Sequence, residues 1–215
     1  MSDDVDATAA LQIADWRRRI AELYASVRHS GNAVDGWFAW RTAREQLFIT
    51  HPQSPLPADA RDAGNAPKYF SYDPALRVTA ALEPSDATPA TLPGSAGVEF
   101  GAVLVGTARF SLLGSHGSLA VFWLTDYAGG LLITFRDATS GRQTYGAGRY
   151  LLDTAKGADL GVVDSRLVLD FNFAYQPSCS YDPRWSCPLP PRQNWLDFRV
   201  PAGEKLAVAE ESAAQ

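Results

Sequence analysis

The chain has 215 residues, enough for one large domain, and its 46% hydrophobic and 20% charged residues are ordinary for a globular protein with a sizeable core. A formal net charge of −5 argues against a nucleic-acid surface and against a polybasic membrane anchor. No apolar run approaches the length of a membrane span, and the acidic start at Asp3, Asp4 and Asp6 does not suit a secretory signal, so the cytoplasm is the expected location.

Residues 8–29 carry Ile13, Trp16, Ile20, Leu23, Tyr24 and Val27 at three- and four-residue spacings, which predicts an amphipathic helix stopped by Ser30-Gly31-Asn32. A second helix is predicted over 34–49, with Trp37, Trp40, Arg44 and Leu47 on one face, and His51-Pro52 ends it. Beyond that break the period becomes two. Short strands are predicted around Tyr69–Tyr72, at 78–82, 98–105, 107–113, 118–124, 131–136 and 143–152. Residues 83–96, with three prolines, read as a loop; Gly114-Ser115-His116-Gly117, 126–130 and 137–141 read as turns. The run 166–175 is the clearest strand, with Leu167, Leu169, Phe171, Phe173 and Tyr175 on one face and Asp170 and Asn172 on the other. Residues 204–215 are rich in Ala and Glu and are expected to fray.

The fold expected from this pattern is mainly β: an antiparallel barrel or sandwich preceded by two N-terminal helices. Residues 1–52 form the helical segment, 53–205 the β domain built as one unit with it, and 206–215 the tail.

Several motifs stand in order along the chain: His51-Pro52-Gln53-Ser54-Pro55-Leu56, Tyr69-Phe70-Ser71-Tyr72-Asp73-Pro74, Phe135-Arg136-Asp137-Ala138-Thr139-Ser140-Gly141 and Thr144-Tyr145-Gly146-Ala147-Gly148-Arg149-Tyr150-Leu151. Asp170-Phe171-Asn172, Ala174-Tyr175 and the stretch from Cys179 to Pro191 complete the set. With these motifs the chain resembles the bacterial and archaeal family known as domain of unknown function 1684. The resemblance implies a domain of about this length and no agreed reaction, cofactor or substrate. Ala147 and Phe173 depart from it, standing where many members carry a glycine and a basic residue.

Four places carry candidate chemistry. Tyr145 and Arg149 share a strand face by period two, with Gly146 and Gly148 opposite; an arginine fork there suits a carboxylate or phosphate, or else a structural carboxylate. Asp170 and Asn172 point away from the apolar stripe, either to orient a ligand and exchange protons or to pair with Arg149 or Arg166. Cys179 and Cys187 lie in a rigid loop rich in proline and aromatics. In a reducing compartment they rest as thiols, and a bridge would close a short loop worth about 2–3 kcal/mol. His51 sits at a helix end, as a cap or as a base whose partner would be Asp73, Asp170 or Cys179.

The histidines His29, His51 and His116 and the two cysteines do not make a four-ligand zinc pattern, so no metal or other cofactor is expected. Three functions follow. One is a binding protein for a small anionic, partly apolar ligand, oriented by Tyr145, Arg149, Asp170, Asn172 and Tyr175. Another is a hydrolase or thiol-dependent enzyme using His51, Asp170 or Cys179. The last is an assembly protein with no ligand. Neither nucleic acid nor membrane is an expected partner, and the oligomeric state is not legible.

Overall fold

The computed structural model describes residues 6–125 and 129–207. Helix α1 spans Ala7–His29 and opens on Asp6, whose carboxylate accepts the Ala9 N–H at 2.8 Å. Helix α2 spans Ala33–Thr50; Asn32 Oδ1 accepts the Val34 N–H at 2.8 Å, and His51 closes the helix before Pro52. The predicted apolar face of α2 is the buried one: Trp37, Trp40, Arg44, Leu47 and Phe48. Together with Tyr24, Tyr69, Ala158 and Phe173 the two tryptophans form the cluster that seats the helices on the β part. Each buried tryptophan is worth about 3–5 kcal/mol against alanine.

Among the described residues nine strands follow: β1 Lys68–Tyr69, β2 Arg77–Pro93, β3 Glu99–Leu112, β4 Ser115–Leu124, β5 Gly130–Phe135, β6 Arg149–Asp153, β7 Val162–Val163, β8 Arg166–Asp170 and β9 Glu204–Lys205. Seven of them form one antiparallel sheet in the order β6-β5-β4-β3-β2-β8-β7, and β1 pairs with β9. The sheet does not close into a ring. The chain beyond β8 returns to β6 where Tyr150 and Tyr175 exchange N–H···O bonds of 2.8 and 3.0 Å. In the main core cluster Phe171 packs edge-on to Phe135, with ring centroids 5.3 Å apart. The mainly-β expectation, with two helices ahead of an antiparallel sheet, holds.

Several local expectations are corrected. Residues 83–96 are not a loop, because β2 continues to Pro93. Of β2, β8 pairs only with Arg77–Ala80, so farther along, one edge of β2 has no strand partner among the described residues. A proline whose missing N–H faces such an edge breaks no ladder bond. The register shifts between Pro84 and Thr88.

The two strands predicted over 98–113 are one strand, β3, with a bulge between Leu104 and Gly106. Gly106 is required there, since a Cβ would lie 2.4 Å from the Glu83 carbonyl oxygen. The following turn is made by Leu113 and Gly114, both at positive φ, and Ser115–Gly117 already belong to β4.

The strand predicted over 143–152 begins only at Arg149. The predicted strand 166–175 stops at Asp170, whose carboxylate accepts the Asn172 N–H at 3.0 Å and turns the chain through a single 3₁₀ turn, Phe171–Phe173. Both alternating faces are therefore interior, and Phe171, Asn172, Phe173 and Ala174 are all buried. Glu204, expected to begin a fraying tail, is fully buried in β9. Part of the predicted 126–130 turn and of the tail lies outside the described residues.

Candidate functional site

A cavity of about 260 Å³ lies between α1, α2, the turn after β6 and the cysteine-containing loop. Trp16, Tyr24, Phe48, Tyr175 and Trp185 are the aromatic side chains of its wall. Its charged lining consists of Arg17, Arg44 and Lys156, and no carboxylate is among the lining residues. Arg17 is exposed and has no carboxylate within 4.0 Å among the described residues, whereas Lys156 has Asp153 at 3.6 Å.

Arg44 is the buried cation. Its guanidinium lies 4.5 Å from the centroid of Phe48 and 5.2 Å from that of Tyr175. Nη2 donates to Glu204 Oε2 at 3.0 Å, and the same oxygen accepts the Gln176 N–H at 3.1 Å. Glu204 Oε1 has no partner among the described residues. Burial pushes the Glu204 carboxyl up to about 7, against the pull of Arg44 and of the Gln176 N–H. Near neutral pH the carboxyl is thus partly protonated, and the Arg44 charge is only partly matched.

One wall of the cavity is chemically distinct. Cys187 lines it, and Cys179, half-buried, packs against the same apolar cluster as Cys187. Both are free thiols.

Among the described residues no group of three or more His, Cys, Asp and Glu side chains is placed to hold a metal ion. No helix there is long and apolar enough to cross a membrane.

Residues 65–205 match the model of DUF1684, a protein family of unknown function. The chain belongs to this family. The DUF1684 match begins after α2, so Arg17 and Arg44 precede the matched segment. A solved relative is the solution NMR structure of an uncharacterized protein of Haloarcula marismortui. It is 37% identical with a TM-score of 0.58, and the match covers 79% of this chain and 91% of that one. No curated protein matches.

Of the ligand-orienting residues expected in this DUF1684 chain, only Tyr175 lines the cavity. Arg149 is sealed at 0% exposure. Nη2 donates to Asp137 Oδ1 and to the Val200 carbonyl at 3.0 Å each, and Nη1 donates to the Ala202 carbonyl. The expected strand face shared by Tyr145 and Arg149 does not form, since Tyr145 lies in the turns before β6 and faces Cys179 instead.

Asp170 and Asn172 are buried and mutually bound, Nδ2 of Asn172 donating to Oδ1 at 2.8 Å. Arg77 and the Tyr72 hydroxyl hold the other oxygen of Asp170 at 3.1 and 3.3 Å, so its partner is Arg77 and neither Arg149 nor Arg166. Burial still raises the Asp170 carboxyl above the usual range.

His51 meets none of its expected partners. Nε2 reaches Asp15 Oδ2 at 3.2 Å and Nδ1 accepts the Gln53 N–H at 3.0 Å, so both ring nitrogens are engaged. It lines a second, shallow hollow with Asp15, Arg19 and Pro52, away from Asp170 and both cysteines.

Arg17, Lys156, Trp16 and Glu204 carry no motif in the sequence. Arg44 did carry a signal: a cation on the apolar face of a helix, where only a paired or stacked charge is tolerated.

Proposed function

We propose that this protein binds a small, partly apolar anion in the cavity between the helices and the cysteine loop. The observation that carries the reading is the lining itself, which has aromatic walls, three cations and no carboxylate. A carboxylate or similar head group would sit toward Arg44, Lys156 and Arg17, and its apolar body against Trp16, Phe48 and Tyr175. A volume of about 260 Å³ is near the lower end of small-molecule sites, which favours a compact aromatic or short aliphatic acid over a nucleotide. Partial protonation of Glu204 leaves net positive potential at Arg44, where a bound anion would be stabilised in a low-dielectric setting.

Titration with aromatic carboxylates and their neutral amides tests this, because Trp16 and Trp185 stand in the wall and report by fluorescence. Carboxylates are expected to bind and the amides to bind at least about tenfold more weakly. Lys156→Ala, at a half-exposed position, should weaken binding by about three- to tenfold without altering the unfolding midpoint. Equal affinity for acid and amide, or no response to either, would overturn the reading.

A further inference from the structure

We propose that Cys179 and Cys187 form a thiol–disulfide exchange site, in which Cys179 attacks a small-molecule disulfide and Cys187 resolves the mixed disulfide. This goes beyond anion binding and does not depend on it.

The loop that carries the pair is pinned on both sides. Cys179 lies in a one-turn 3₁₀ segment, Ser178–Ser180, and the Ser180 hydroxyl donates to the Pro177 carbonyl at 2.7 Å. Around Cys187, the Ser95 N–H donates to the Cys187 carbonyl at 3.0 Å, and the Cys187 N–H donates to Ser95 Oγ at 2.9 Å. The Tyr150 hydroxyl donates to the Pro188 carbonyl at 2.6 Å, and Leu189 N–H donates to the Pro93 carbonyl at 2.7 Å. These contacts fix the loop around both residues, and Cys179 packs against the apolar cluster that contains Cys187.

The Cys187 thiol, on the same loop, and the Tyr145 phenol, in the turns before β6, are the groups that bear on the Cys179 thiol, while the Ser95 hydroxyl donates to the Trp185 carbonyl at 3.3 Å. The Cys187 thiol leads in holding the Cys179 thiol down, to about 6. The same contact, with burial, pushes Cys187 up, and Lys156 opposes that weakly. Tyr145 and Tyr150 feel both sulfurs and are themselves raised, chiefly by burial, so neither is a competing anion. The asymmetry suits a two-thiol site. Cys179, the half-buried residue, would supply the thiolate, and the buried Cys187 would keep its proton until the first bond has formed. A cysteine present only for packing needs no such donor set.

The chemistry balances as a two-electron exchange. The Cys179 thiolate attacks one sulfur of a small disulfide, R–S–S–R, forming Cys179–S–S–R and expelling R–S⁻, which takes a proton from water. Cys187 then attacks Cys179 Sγ, its proton passing to the second departing R–S⁻. The protein dithiol is oxidised to a disulfide and the small disulfide is reduced to two thiols.

The test uses reduced full-length protein and oxidised glutathione. Wild type is expected to lose two hydrogens by intact mass, Cys187→Ser to retain one glutathione on Cys179, and Cys179→Ser to stay unmodified while folded. Brief alkylation of wild type followed by peptide mapping covers the case of a variant that does not fold. Cys179 should be labelled first, with a rate midpoint at about pH 6, which Tyr145→Phe should raise. Equal labelling of both cysteines, or a midpoint at the ordinary thiol value of about 8.5, would overturn the proposal. So would reaction with glutathione only after unfolding. Loss of anion binding with exchange intact would count against the cavity reading alone.

Discussion

The Arg149 guanidinium reaches the Asp137 carboxylate at 3.0 Å with both side chains wholly buried. Asp137 also accepts from the Thr139 N–H at 3.0 Å and the Val200 N–H at 2.8 Å, so one carboxylate ties the turn after β5 to β6 and to the chain near residue 200. Removing one member of such a pair leaves an uncompensated charge. Arg149→Ala is therefore expected to lower stability by about 3–5 kcal/mol, read as a shift of the urea midpoint. Arg149→Lys should recover little of it, because one ammonium cannot span Asp137 and the carbonyls of Val200 and Ala202.

Glu204 predicts a pH dependence. Its carboxyl is raised from 4.5 to about 7 in the folded protein, so between those values the folded chain holds a proton that the unfolded chain has lost. Its contribution is complete below about pH 4.5 and declines as pH rises through about 7. Glu204→Gln cannot exchange that proton and should show a flatter stability profile between about pH 5 and about pH 8. The two profiles should diverge by at most on the order of 3 kcal/mol. Parallel profiles from urea unfolding at several pH values would refute the assignment.

Asn172 joins three parts of the chain. Nδ2 donates to the Asp73 carbonyl and to Asp170, each at 2.8 Å; Oδ1 accepts the Asp73 N–H at 2.9 Å; and its own carbonyl accepts the Trp37 indole N–H at 2.8 Å. Asn172→Ala should cost about 2–4 kcal/mol, since it strands buried polar groups on Asp73 and Asp170. Hydrogen exchange should locate the loosening at Asp73, with the Trp37 indole N–H still protected because its acceptor is main chain. Uniform acceleration across the sheet would show instead that the whole fold has been weakened.

The helices were legible because their limits are local: Asp6 and Asn32 cap, and Pro52 terminates. The end of β2 was not, because whether a proline breaks a strand depends on which edge faces a neighbour, and β8 is too far away in sequence to reveal that. Residues 166–175 kept an apolar–polar rhythm past the end of β8 because Phe171 and Phe173 are buried in the 3₁₀ turn as well as they would be in a strand. Arg149 and Asn172 are expected from strand periodicity to orient a ligand, yet burial makes them internal ties, away from the cavity. Tyr175 lies on the cavity wall, whereas Arg17, Arg44 and Lys156 converge only through tertiary packing, and no spacing rule links them.

Arg44 and Glu204 are separated by 160 positions, and this has a bearing on biosynthesis. A ribosome delivers the guanidinium 160 residues ahead of its counter-ion. Until β9 docks beside β1, α2 holds an unneutralised cation against Trp40 and Phe48, which opposes its seating on the sheet. Stable seating of α2 is therefore expected to follow the docking of β9.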